Sequence, residues 1–335
     1  MAFRRKFTFV LLLVFMLSTT LLLSAQDDNV YADGLNNPRN IAFDSDGNLY
    51  VAEAGIGGSF TNAFGDPFGA SSQITMISPD GGADVVVNGL LSFGVDNSRG
   101  ASSVYVTDTS YWVLIGESAD LAIPWSDALV EIDRETGRVQ TYVDLHTIEI
   151  EEDPDGNDNG EVNPNDFAVA ADGTIYIAAA GCNCVMSWSA DAGLAIAVAW
   201  DFETDNPVPT SVEVDANGDI YVGFLTGFPF PAETSRIEHW SGGELVETFS
   251  GLTAVTGLLV ADDGTIYASE YGVFEMGAGW GAGRVVMVSA DGITPVLEDL
   301  TFPFGLAQSP DGTIVVATGA ASGEGAGQIL VVPSM

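Results

Sequence analysis

The stretch NPRNIAFDSDGNLYVAEAG, residues 37–55, decides the fold, because the same phrase returns along the chain. It reads as an apolar strand, an acidic turn ending in glycine, and a second apolar strand. The further copies are NPNDFAVAADGTIYIAAAG (163–181), VPTSVEVDANGDIYVGFLTG (208–227), AVTGLLVADDGTIYASEYG (254–272) and FPFGLAQSPDGTIVVATGA (302–320), with a worn copy, RGASSVYVTDTSYWVLIGE, at 99–117. The turn glycines Gly173, Gly218, Gly264 and Gly312 are 45, 46 and 48 residues apart, a spacing typical of propeller blades. Copies are followed by a further pair of strand-like runs, such as SRIEHWS with LVETFSGL, so each unit supplies four short strands.

Six such units predict an all-β, six-bladed β-propeller of four-stranded blades. The sixth unit ends on a single extra strand, GQILVVP, whereas an orphan strand, NVYADGL (29–35), precedes the first unit. Pairing the two closes the ring and leaves no exposed sheet edge. The Asp-Gly and Asn-Gly turns provide the positive φ of tight hairpins, so their aspartates read as turn formers.

Residues 1–25 read as a signal peptide: Arg4, Arg5 and Lys6 precede an apolar run from Phe7 to Leu23, and Ala25 ends it. Cleavage after Ala25 is expected, with an uncleaved anchor as the alternative. Residues 26–335 are expected to form a single propeller domain, secreted, periplasmic or extracellular, and monomeric. Removing the leader takes three of the nine basic residues and none of the 47 acidic ones, leaving six arginines, no lysine and a balance of −41. That field repels phosphate backbones and anionic headgroups, so neither nucleic acid nor a membrane surface is an expected partner. The two cysteines, Cys182 and Cys184, are too few for a disulfide framework. A labile disulfide, a mixed disulfide and two thiols are all compatible with their spacing.

In an up-and-down meander the connections alternate between the ends of the strands. The short acidic turns therefore share one face, and the long pieces, 54–72, 117–127, 146–162, 225–234 and 272–283, share the other. Long loops on a rigid scaffold are where function concentrates, so a small molecule, glycan or protein is expected on that face. Residues opening first strands and closing second strands should approach the axis: Arg39, Glu53, Asn165, Asp166, Thr210 and Glu270. Such a polar ring reads as the site of a small ligand or cation, or as a hydrated plug.

Asp155, Asn157, Asn159 and Glu161, followed by Asp166, have the oxygen-ligand spacing of a calcium loop, with Gly160 at the sixth position and no helical flanks expected. A divalent cation, calcium, is the one cofactor suggested. His146 and His239 lack a neighbouring nucleophile turn, and no catalytic residue is assigned. The loop Phe228-Pro229-Phe230-Pro231 reads either as a grip for an apolar or carbohydrate partner or as a core cap.

The segments GLNNPRNIAFDSDGNLYVAEAG, VPTSVEVDANGDIYVGFLTGFPFP and DPDGNDNGEVNPNDFAV resemble those of the ScyD/ScyE family, secreted relatives of NHL-repeat propellers. The resemblance implies a bacterial exported six-bladed propeller. It also implies an accessory role in extracytoplasmic pigment synthesis, since founding members are encoded beside genes for scytonemin. The residues themselves favour a binding or scaffold protein acting through the long-loop face. The alternative is a metal-dependent lactonase-like or gluconolactonase-like hydrolase, in which a channel cation polarises an ester and Glu53 or Glu270 assists water.

Overall fold

The computed structural model describes residues 29–61, 65, 67–94, 99–116, 125–157 and 160–334. The expected signal peptide (1–25), most of the 117–127 insertion and Asn159 lie outside these residues. Six antiparallel sheets follow one another in chain order. The first strands of blades I to VI are Pro38–Phe43, Ala101–Val106, Pro164–Val169, Pro209–Val214, Val255–Val260 and Leu306–Gln308. The sixth sheet runs 30–35, 327–331, 314–318, 306–308, so the orphan strand does close the ring. Its register pairs Val30 with Leu330 and Leu35 with Gly327.

The strands alternate side chains between two faces, and in a ring of blades both faces are covered by neighbours. The second strand of blade I, Leu49–Glu53, is accordingly buried at every position. The core is divided among six clusters, one at each junction between adjacent blades. One joins Tyr50 and Ile74 of blade I to Val104 and Val113 of blade II, and the last joins Val315 and Ile329 of blade VI to Ile41 and Val51 of blade I.

The hairpin turns are built as their residues dictate. Gly173 and Gly264 take φ of 87° and 85°, and the Asp172 and Asp263 carboxylates each accept the backbone N–H two residues on at 2.9 Å. These bonds hold both carboxyls below the ordinary range. Two expectations are corrected. The 54–72 insertion of blade I is drawn into the sheet: strands Pro67–Ile77 and Ala83–Phe93 each run 11 residues, a short strand Phe60–Thr61 pairs with the first, and Phe68 stacks on Phe93 at 5.6 Å. The 146–162 insertion opens with a helix, His146–Glu152, closed by Asp153 in the left-handed region.

Cys182 and Cys184 form a disulfide, both fully buried in the cluster between blades II and III. Because the sulfurs are bonded to each other and out of contact with water, neither is a free thiol nor a mixed disulfide.

Candidate functional site

One extra residue interrupts the pairing of the first strand with the second in blade after blade. Pro164 pairs with Ala179 but Asp166 with Ala178, leaving Asn165 unmatched. The same bulge leaves Ser102, Thr210 and Thr256 unmatched in blades II, IV and V, and in blade I it spans Arg39 and Asn40. A bulge re-aims the side chain it carries. The result is convergence: Arg39, Ser102, Asn165, Thr210, Thr256 and Phe304, the equivalent residue of each blade, all line one cavity of about 510 Å³. The cavity lies where first strands begin and long connections arrive, at the channel mouth on the long-loop face.

The bulges sit beside backbone in the left-handed region. Asn37, Asn163, Val208 and Ala254, each just before a first strand, and Phe302, at the equivalent repeat position of blade VI, have φ between 45° and 59°. For a β-branched residue such as Val208 that conformation is strained. It lets the chain turn inward while the preceding carbonyls stay paired, as in the Leu225 N–H to Val208 bond of 2.9 Å.

The three serine and threonine hydroxyls carried by the bulges are spent on the next blade. Ser102 Oγ donates to the Pro164 carbonyl at 3.3 Å, Thr210 Oγ1 to Val255 at 2.7 Å and Thr256 Oγ1 to Pro303 at 2.8 Å. Asn165 Nδ2 donates to the Asn163 carbonyl at 2.9 Å. Having committed their hydrogens, these groups offer the cavity lone pairs.

The opposite character comes from Arg39 and Arg99, two of the six arginines after residue 25. Among the described residues no carboxylate lines the cavity. Burial lowers the Arg39 pKa, and the nearby Arg99 charge acts in the same direction, against an opposing influence of Tyr271. The Arg39 guanidinium lies 4.7 Å over the Phe304 ring.

Aromatic rings continue the wall outward. Phe302 stacks on Tyr271 at 5.2 Å, Tyr271 meets Trp280 at 5.1 Å, Trp280 meets Phe230 at 5.0 Å, and Phe230 meets Phe228 at 5.8 Å. Phe228, at the rim, is 67% exposed. The FPFP loop and the 272–283 loop thus form one aromatic slope from solvent to Arg39.

Of the residues expected near the axis, Arg39, Asn165 and Thr210 line this cavity, and Glu53, Asp166 and Glu270 do not. Glu53 and Glu270 occupy the same position in their blades, facing Pro38 and Val255, where blades II, III and IV carry Ile115, Ala179 and Phe224. That face points into the blade junction. Glu53 Oε2 accepts the Asn36 N–H at 2.5 Å while Oε1 is bonded by Gln73 and Thr75. Glu270 accepts the Thr253 N–H at 2.7 Å and is paired with Arg284.

Asp166, one residue beyond its bulge, accepts from Ser103 Oγ at 2.9 Å and from the Val212 N–H at 3.3 Å, tying three blades together. It therefore does not complete the expected calcium loop. Asp155 groups instead with the carboxylates of Glu149 and Asp153, without Glu161, and the Asn157 N–H donates to Asp155 Oδ1. His146 opens the helix, and His239 stacks on Tyr221 at 4.2 Å.

Ser102, Thr256, Phe304 and Arg99 were not anticipated at the mouth. The first three were legible in principle, since each aligns with Arg39 in the repeat.

A scan against protein-family models finds no match, and no curated protein matches the sequence. Solved structures do match in shape. A streptogramin B lyase structure is 12% identical, over 89% of this chain and 94% of the other, with a TM-score of 0.51. A calcium-binding protein, regucalcin, from Agrobacterium tumefaciens is 12% identical over 92% and 95%, at 0.55. A glucose dehydrogenase is 11% identical over 91% and 99%, at 0.56. At these identities the likeness is one of fold, and the chain is a six-bladed β-propeller with a cationic, aromatic-walled mouth.

Proposed function

We propose that this chain is an extracytoplasmic binding propeller of the ScyD/ScyE kind, whose channel mouth takes a planar aromatic molecule bearing a negative charge. The observation that carries this reading is the placement of Arg39 and Arg99 in one cavity that, among the described residues, no carboxylate lines, in a protein of 47 acidic residues. Two guanidinium groups near each other make the mouth locally positive on an otherwise acidic protein, which draws an anion toward it. The aromatic slope supplies stacking surface. Ser102, Asn165, Thr210 and Thr256 supply acceptors, so the ligand also carries a hydroxyl or N–H donor.

An aromatic anion of this kind suits an accessory role in pigment synthesis outside the cytoplasm. The hydrolase reading draws less support, because Glu53 and Glu270 are engaged as caps in the blade junctions. The calcium suggested by the acidic insertion is a separate matter, with a revised ligand set.

The test uses 4-hydroxybenzoate and its neutral amide as probes, followed by calorimetry and by quenching of tryptophan fluorescence, to which Trp280 contributes. The acid is expected to bind at least tenfold more tightly than the amide, and Arg39→Gln and Arg99→Gln to remove that preference while leaving amide binding unchanged. Equal binding of acid and amide, or a preference untouched by both substitutions, would defeat the reading.

A further inference from the structure

The helix His146–Glu152 carries a glutamate where a helix of a surface insertion has no reason to bury one. Glu149 is 2% exposed, and among the described residues neither of its carboxylate oxygens has a hydrogen-bond partner. Buried carboxylates are normally satisfied by donors or cations, and one left with neither marks a missing partner. The oxygens of Glu149 share their surroundings with acidic neighbours. One of them lies within 4.8 Å of a carboxylate oxygen of Asp153 and of Asp155, which are likewise mutually within that distance.

Three like charges so close repel one another. Burial first, then the charges of Asp155 and Asp153, pushes the Glu149 pKa up to about 7. Protonation would remove one charge yet leave the carboxyl without hydrogen-bond partners. A cation removes both costs together.

The group is also held in shape from outside. Asp155, 2% exposed, accepts the Asn157 N–H at 2.9 Å on one oxygen and Asn183 Nδ2 at 3.0 Å on the other. Asn183 lies between the two bonded cysteines with φ of 44°. Its own side-chain oxygen accepts the Val208 N–H at 3.0 Å. The Asp155 carbonyl accepts the Phe202 N–H at 3.0 Å. The disulfide turn thus presents Asn183 to orient a ligand carboxylate, as outer-shell amides do around metal ions.

We infer that Glu149, Asp153 and Asp155 form a site for a divalent cation, calcium by its all-carboxylate donor set, on the connection between blades II and III. Hard oxygen donors on an irregular loop suit calcium over zinc, which draws on nitrogen and sulfur. The site lies apart from the channel mouth, so it stands or falls independently of the aromatic-anion reading. Its action is structural: the ion ties the helix to the loops flanking blade III.

The experiment is a thermal melt of the full protein after exhaustive chelation, repeated across titrations of calcium, magnesium and zinc chlorides at fixed ionic strength. Wild type, Glu149→Gln, Asp155→Asn and Asp80→Asn are compared, the last removing an exposed carboxylate on the opposite face. Calcium is expected to raise the wild-type and Asp80→Asn melting temperatures saturably, with magnesium at least tenfold weaker. Glu149→Gln should melt above chelated wild type, because it removes a buried charge without an acceptor's partner, and should no longer respond to calcium. Asp155→Asn should weaken the response at least tenfold. A calcium response that persists in Glu149→Gln would be screening of the acidic surface and would overturn the inference, as would no saturable response or a response to zinc alone.

Discussion

Asp166 has a pH signature that follows from its surroundings. Burial pushes its pKa from 3.8 up to about 7, against the lowering effect of hydrogen bonds from Ser103, Val212 and Phe167. Its neighbour Glu213 is pushed to about 8, by burial and then by the Asp166 charge. In the unfolded chain both release their protons in the ordinary carboxylate range. Between about pH 4 and pH 8 the folded state therefore holds more protons than the unfolded one, and stability falls as pH rises. The contribution is complete below pH 4 and is lost once pH passes the folded values.

Between pH 5 and the Asp166 value of about 7 lie about two units at about 1.4 kcal/mol each, or about 3 kcal/mol as a ceiling. Asp166→Asn keeps an oxygen for Ser103 and the Phe167 N–H but turns an amide toward the Val212 N–H, a pH-independent cost on the order of 1 kcal/mol. Urea unfolding followed by tryptophan fluorescence at pH 5, 7 and 9 separates the two effects. Going from pH 5 to pH 9, the variant should gain about 2–3 kcal/mol on wild type. The same offset at both pH values would refute the reasoning, since it would mean that Asp166 ionises in the fold as freely as in the unfolded chain.

Gly257→Ala should cost about 2–4 kcal/mol in a urea titration, because its Cβ would lie 2.1 Å from the Phe304 carbonyl oxygen at the junction of blades V and VI. Glu270→Ala should cost about 2–4 kcal/mol by the same assay, leaving the Thr253 N–H without its acceptor and Arg284 without its partner. A loss under 0.5 kcal/mol would show that the carboxylate is not a cap. Cys182 and Cys184, both fully buried, should resist reduction in the native state. Intact-mass measurement after reductant and maleimide should find no label without urea and two labels with it.

The fold was legible because its signals are local and repeated. Alternation with period two, an Asp-Gly or Asn-Gly turn and a return about every 46 residues name the blade. The orphan strand at 29–35 names the closure. The face bearing the insertions followed from counting strands. The site was legible in part: Arg39, Asn165 and Thr210 were placed at the axis because they open first strands. Glu53 and Glu270 were misplaced because closing a second strand does not say which face a side chain takes, and here they face Pro38 and Val255 within the junctions.

The sequence by itself determined the strands, their grouping into six blades and the segregation of long loops, since all three rest on short-range pattern. Only the tertiary structure decided which side chains meet. A bulge in the first strands of blades I to V adds residues that no period-two reading contains, and ring closure then brings the six equivalent positions to one mouth. Glu149 lay further still from the sequence pattern. It belongs to an insertion without a repeat counterpart, and its burial against Asp153 and Asp155 depends on a helix and on Asn183, 28 residues beyond Asp155.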